Sequence, residues 1–183
     1  MTGGTRQTRK PAAVRRAEIL EAADAEFALK GLSGAGFEAI AARVGISHPR
    51  IVQMFGSKRD LFLEVVHAAY DRVQATFENA APTLDALGDA YRHLLQSRPT
   101  VGPVLLQAYA AAGDAAVQAS VRECQLALQQ TVTRLTGADP MQVRSFLATG
   151  LVLTVSTVLD LPERRADAEW CAWIIGLPAP LAE

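Results

Sequence analysis

The sequence predicts an all-α fold: an N-terminal helix-turn-helix head of three helices, then a larger α-helical body, about nine helices in all. Three observations carry that expectation. Apolar residues recur three and four apart through nearly every segment, and no stretch alternates with the period of two that a half-buried strand needs. Glycines, prolines and capping side chains fall between those stripes, where helices must stop and restart. The stretch at 37–55, FEAIAARVGISHPRIVQMF, reads as two short helices joined at Gly45-Ile46-Ser47. With 183 residues and 50% hydrophobic content, the chain can bury a sizeable core in one or two domains.

Residues 1–11 contain Arg6, Arg9 and Lys10 and no acid, so a disordered basic arm is expected there. From Ala12 a helix carries Ile19, Ala23 and Phe27 on one stripe and ends at Lys30-Gly31, a cation in the last turn followed by a glycine suited to the C-terminal position. In the central stretch, Ile40, Val44, Ile46, Ile51 and Met54 let both helices and the turn close on a shared core. Ala41 leaves room for the crossing, and Gly45 supplies the positive φ that stops the first helix. Ser47 is expected to cap the second helix, with Pro49 in its first turn, where a missing N–H costs little. If Ile51 points inward, Met54 and Phe55 follow it, whereas Pro49 and Gln53 face out with Arg50 and Val52 flanking them.

Ser57 is the expected N-cap of a long helix at 58–79, which would connect the head to the body. Further helices are expected at 83–96, 103–112 and 115–135, and another opens at Asp139-Pro140 by N-cap and N1 proline. From 146 to 161 that helix is apolar almost all round, so it must be covered on every side. A last helix at 164–175 adds Trp170 and Trp173. The implied organisation is an arm at 1–11, a helix-turn-helix head at 12–57 and a helical body at 58–183.

Charge is unevenly spread. Residues 1–60 hold 10 Lys/Arg against 6 Asp/Glu, a net of +4, and residues 61–183 hold 8 against 13, a net of −5. A basic front and an acidic back point to a polyanion partner for the first part only. Cys124 and Cys171 lie far apart with no CxxC spacing, so neither a disulfide framework nor a zinc site is expected, and the chain reads as cytoplasmic. No signal peptide is evident, and the stretch at 146–159 is too short and too interrupted by Thr and Ser to suggest a membrane span. His67 and His93 have no second ligand within four residues. No nucleophile, base and orienting acid assemble from the sequence, and no phosphate loop follows a strand, so neither an enzyme nor a metal or cofactor protein is expected.

The features at 14–66 resemble the DNA-binding region of the TetR (tetracycline repressor-like) family of bacterial transcriptional regulators. The resemblance rests on Ile19-Leu20, Ala23, Phe27 and Gly31, then Ile40-Ala41, Gly45-Ile46-Ser47, Phe55, and Ser57-Lys58 with Leu61. It implies that the second helix of the motif lies in the major groove, with Ser47, His48, Pro49, Arg50, Val52 and Gln53 available to DNA. Lys58, at a helix N-terminus, is then the expected phosphate contact. Val52 and Met54 stand where members commonly carry Tyr and His that touch phosphates.

The resemblance also implies a sequence-specific DNA-binding regulator, a repressor released from a palindromic operator by a small-molecule effector. Leu106, Tyr109, Gln125 and Leu128 are the candidate effector contacts. Phe146, Gly150, Leu151, Val155 and Val158, with Trp170 and Trp173, are the candidate homodimer interface. The alternative is a helical interaction or ligand-binding module whose hairpin never meets DNA.

Overall fold

The computed structural model describes residues 11–161, and those residues form eight α-helices with no strand among them. They are α1 (Ala12–Gly34), α2 (Phe37–Val44), α3 (His48–Phe55), α4 (Lys58–Glu78), α5 (Leu84–Ser97), α6 (Val101–Ala110), α7 (Ala115–Thr136) and α8 (Pro140–Val158). The expected helix at 164–175, with Trp170 and Trp173, and the basic arm lie outside the described residues.

The head closes on side chains that the sequence stripes single out. Ile19, Ala23, Phe27, Ile40, Ala41, Ile51, Phe55 and Leu61 are all buried. Phe27 meets Phe62 edge to face with ring centroids 5.0 Å apart, an arrangement that suits the aromatic quadrupoles. Gly31 has φ +65°, where only a residue without Cβ is unstrained, and the chain kinks there before one further turn. Gly45 also adopts the left-handed conformation, φ 71°, and its N–H returns to the carbonyls of Ala41 and Ala42, ending α2 and setting the steep entry to α3.

Three local expectations change. Ser47 occupies the N-cap position of α3, but its side chain makes no capping bond; the Arg50 N–H bonds to the Ser47 carbonyl, and Pro49 has no N–H to offer. α6 starts at Val101, two residues before Pro103, because a proline in the first turn forfeits only N–H groups that have no intrahelical partner. Asp114, read in the sequence only as part of a stop, caps α7 by accepting from the Ala116 and Val117 N–H groups. Ser57 caps α4 as expected, and Asp60 completes a reciprocal capping box with it.

α4 is the spine, packing against α1 on the head side and α5, α6 and α7 on the body side. It is not the sole connection. α1 packs against α6 as well as α2 and α4, so the body grips the first helix of the head directly. At that crossing Gln107 of α6 lies against Gly31, and any Cβ there would collide with its side-chain oxygen. Ion pairs Arg16–Glu64 and Asp24–Arg72 (3.5 Å) fasten α1 to α4, and the Arg16 guanidinium also sits 4.7 Å from the Phe55 ring centre.

α8 is long and apolar enough, by length and composition alone, to cross a membrane. In the fold it packs against α5, α6 and α7, and the Tyr91 hydroxyl hydrogen-bonds Thr154 Oγ1 at 2.7 Å. The expectation that it is covered on every side does not hold among the described residues. Only Val143, Thr154 and Ser156 of α8 are buried, and Leu151, Val158 and Leu159 are 47%, 40% and 58% exposed.

Candidate functional site

The outer surface of α3 is short and mixed, as its sequence suggests. Pro49, Val52 and Gln53 are exposed, Arg50 is half-buried and Ile51 is fully buried beneath them. Val52 leaves 43% of its surface open, which places an unpartnered isopropyl group in the middle of that face. The polar side chains around it are engaged with one another. Arg50 Nη1 donates to Gln53 Oε1 at 2.6 Å, holding the two side chains as a pair.

His48 does not simply point outward. Its ring packs edge to face on Phe37, with centroids 5.1 Å apart, and its Nδ1 lies 2.9 Å from Glu38 Oε1. The Glu38 carboxyl is held below its ordinary value by its own backbone N–H first and by His48 second. A carboxylate thus stands at the edge of a face otherwise suited to an anion. No sequence period links two residues ten apart across a turn, so this pair is visible only once α2 and α3 are packed.

Lys58 differs more from expectation. Its ammonium donates to the main-chain carbonyls of Ser33 and Ala35, at 3.1 and 3.0 Å, and so clasps the α1–α2 connection to the start of α4. Two of its three protons are used within the head, leaving one to turn outward. The other cations divide similarly: Arg15 pairs with Glu18, Arg16 with Glu64, Lys30 with Glu26 and Arg59 with Asp114. Of these, only the Arg16 and Arg59 pairs draw their acids from outside residues 1–60, so they alone offset part of the positive excess, and Arg50 of α3 stands on the exposed face.

In the body, α4, α5, α6, α7 and α8 enclose a cleft of about 1000 Å³. Tyr109, Gln125 and Leu128 line it as expected, together with Tyr70, Phe77 and Tyr91. Leu106 does not line it: its neighbour Leu105 does, because one residue along α6 turns the side chain by about 100° onto a different face. Gln125 Nε2 donates to the hydroxyl oxygens of both Tyr70 (3.1 Å) and Tyr109, and Tyr70 donates to Tyr109 at 3.3 Å. Burial pushes the Tyr70 phenol up, and Tyr109 beside it adds to the push.

Of the residues assigned to a subunit interface, Phe146 and Gly150 face inward. The Phe146 ring lies 5.7 Å from that of Phe77, and a Cβ on Gly150 would stand 3.9 Å from Tyr91. Both line the cleft, as does the edge of the more exposed Leu151. Val155 is half-buried and Val158 is exposed. His67 bonds Ser120 at 2.6 Å, and no group of three His, Cys, Asp or Glu among the described residues is arranged to hold a metal.

The described residues thus form a three-helix head with a helix-turn-helix, joined through α1 and α4 to a body with a cleft and a partly exposed apolar helix. Residues 19–65 match the family model described as bacterial regulatory proteins, tetR family. The chain is 36% identical over 81 residues to the HTH-type transcriptional activator FasR of Mycolicibacterium smegmatis, a match that spans 44% of this chain and 37% of that protein. Among solved structures it is similar to a TetR-like transcriptional regulator from Rhodococcus sp. RHA1, with 20% identity, TM-score 0.66, and coverage of 92% of this chain and 97% of the other. A tetR-family transcriptional regulator from Streptomyces coelicolor is also similar, at 17% identity and TM-score 0.65, covering 91% of this chain and 79% of its own. At those identities the two structures share the fold.

Proposed function

We propose that the chain is a DNA-binding transcriptional regulator that acts as a homodimer, with α3 in the major groove and a small-molecule effector in the body cleft. The carrying observation is the exposed face of α3: Val52, Gln53 and Arg50 stand out on a short helix whose opposite side, Ile51 and Phe55, is locked into the head. Such a helix can enter a groove without unfolding anything. The Arg50–Gln53 pair then meets base edges as a unit, Val52 meets a thymine methyl, and Lys58 keeps one proton for a phosphate while holding the head together. Two-fold symmetry sets the operator as a palindrome with half-sites about 34 Å apart or a multiple of it. FasR is named an activator; for this chain the sign of regulation follows where the operator lies relative to the promoter, with repression where the two overlap.

The test is selection of bound fragments from genomic DNA, followed by titration of the recovered site and a scrambled duplex at several salt concentrations. A site bound at least about a thousandfold more tightly than the scrambled duplex supports the reading. Equal, salt-independent binding of both would return the chain to the interaction-module alternative.

A further inference from the structure

The cleft has one polar end, and its hydrogen bonds are unbalanced. Tyr70, Tyr109 and Gln125 together carry two hydroxyl and two amide protons, and their mutual contacts use three of the four. With the amide as placed, the Tyr109 proton and the Gln125 carbonyl are left over. With the amide reversed, the phenols donate to its oxygen and both N–H protons are left over. Either way at least one donor faces the cleft with no acceptor. The other polar pair on the wall is closed: Thr154 donates to the Gly150 carbonyl at 2.8 Å and accepts from Tyr91 at 2.7 Å.

Charge at the walls points the same way. Among the described lining residues Arg92 is the only cation; it sits exposed on α5 and is already paired with Asp89 at 2.5 Å. Asp85 and Asp89, set against Arg92, leave the described lining with a net charge of −1, and the Cys124 thiol beside Tyr70 is pushed up first by burial and then by Asp71 and Glu123. Among the described lining residues, a carboxylate or phosphate at the polar end would meet no unpaired cation. The remainder of the wall is mostly apolar and aromatic, lined by Val73, Phe77, Leu105, Leu128 and Phe146, with Gln142, Ser145 and Thr149 of α8 as further polar groups.

From the surplus donor and the lack of an unpaired cation among the described lining residues we infer that the cleft takes an uncharged apolar molecule bearing an acceptor oxygen, such as an alcohol, ketone, ester or amide, whose oxygen docks on Tyr109 and Gln125. This rests on the effector reading of the cleft above, and it names the chemical class that the reading leaves open. An acceptor there completes a hydrogen bond in a part-buried setting, where an unmet donor costs most. An ionised head group instead loses its hydration without a partner.

The experiment is calorimetric titration of the full chain, without DNA, at pH 7, using decanol, decanoate and decyltrimethylammonium below their micelle-forming concentrations. Decanol is expected to bind roughly tenfold or more tightly than either ion. The triple variant Tyr70→Phe, Tyr109→Phe, Gln125→Leu removes every donor at that end while keeping its shape, and decanol affinity should fall by about tenfold. Should that variant melt early, Gln125→Glu serves instead: its carboxylate accepts both phenol protons, so decanol weakens and decyltrimethylammonium gains. Decanoate or decyltrimethylammonium matching decanol on the wild-type chain overturns the inference, as does the absence of heat with all three probes, or a decanol affinity indifferent to both variants. Operator titration of the same preparation, without probe, reports separately on the DNA-binding reading.

Discussion

Gln53 and Arg50 share a hydrogen bond, so substituting either disturbs both. Gln53→Ala should cost about 1–3 kcal/mol on the preferred operator and little on scrambled DNA. Arg50→Ala should show the same loss, and the double variant should lose less than the sum, because the pair acts as one group. Additive losses in a salt-resolved titration would contradict that coupling. Lys58→Ala is expected to do two things, of which the sequence suggests only the first. It should lower the salt slope by about one per subunit, and it should also lower the melting temperature, since two main-chain carbonyls lose their donor.

Three carboxylates tie stability to acid in the same direction. Glu38 is lowered by its own backbone N–H, Asp60 by the Ser57 hydroxyl and Asp114 by the Val117 N–H. A folded value below the unfolded one stabilises the chain above the ordinary values of 4.5 and 3.8, and that stabilisation is lost as pH falls through the folded values. Thermal melts should therefore be flat from pH 7 to about 5 in this respect and decline below about pH 4.5. Asp60→Asn, which keeps an acceptor at the cap but cannot titrate, should shrink the decline; an unchanged acid limb would remove Asp60 from the cause.

At the scale of helices, the contact of α6 with α1 joins the cleft to the head. Leu105 and Tyr109 of α6 line the cleft, and Gln107 between them touches Gly31 in the kink of α1. A ligand that shifts α6 acts on the head through this point as well as through α4, and only to the extent that it favours one arrangement over the other. Gln107→Ala should leave operator affinity and cleft binding each near wild type while weakening the effect of one on the other. Gly31→Ala should instead destabilise the chain by about 1–3 kcal/mol, since it adds positive-φ strain to a collision with Gln107. A Gln107→Ala variant with intact coupling, measured as the change in operator affinity on saturating the cleft, would leave α4 as the working route. Gly88 faces the cleft with 3.9 Å to Phe146, so Gly88→Leu can fill part of it without backbone strain and should blunt ligand binding before DNA binding.

Over the whole molecule, the exposed apolar residues of α8 are the chief feature that the described chain leaves uncovered. Leu151 and Val158 are open, whereas Phe146 and Gly150 turn into the cleft, so a partner subunit would cover a narrower face of α8 than its all-round apolar sequence suggests. Leu151→Glu should yield a folded monomer that binds operator weakly, because a buried unpaired carboxylate at a two-fold contact costs several kcal/mol, counted twice. Sedimentation at micromolar concentration reads this directly, and a wild-type monomer there would sink the two-fold operator model.

The sequence by itself determined the head and the run of helices, because those depend on neighbours along the chain. The stripe Ile19, Ala23, Phe27, the left-handed Gly31 and Gly45, and the caps at Ser57 and Asp139 act within one or two turns, where periodicity and φ preference are decisive. Tertiary structure alone decided what each polar side chain meets. Lys58 turned to carbonyls 25 and 23 residues away, His48 to Glu38 across the turn, and Tyr70, Tyr109 and Gln125 to one another from three helices. It also decided that Leu105 rather than Leu106 lines the cleft, a difference of one residue's rotation about α6. Apolar stripes fix which face of a helix is buried to within a broad arc, but a hydrogen bond or a cavity wall depends on ångström distances between segments. Those distances exist only once the helices have packed.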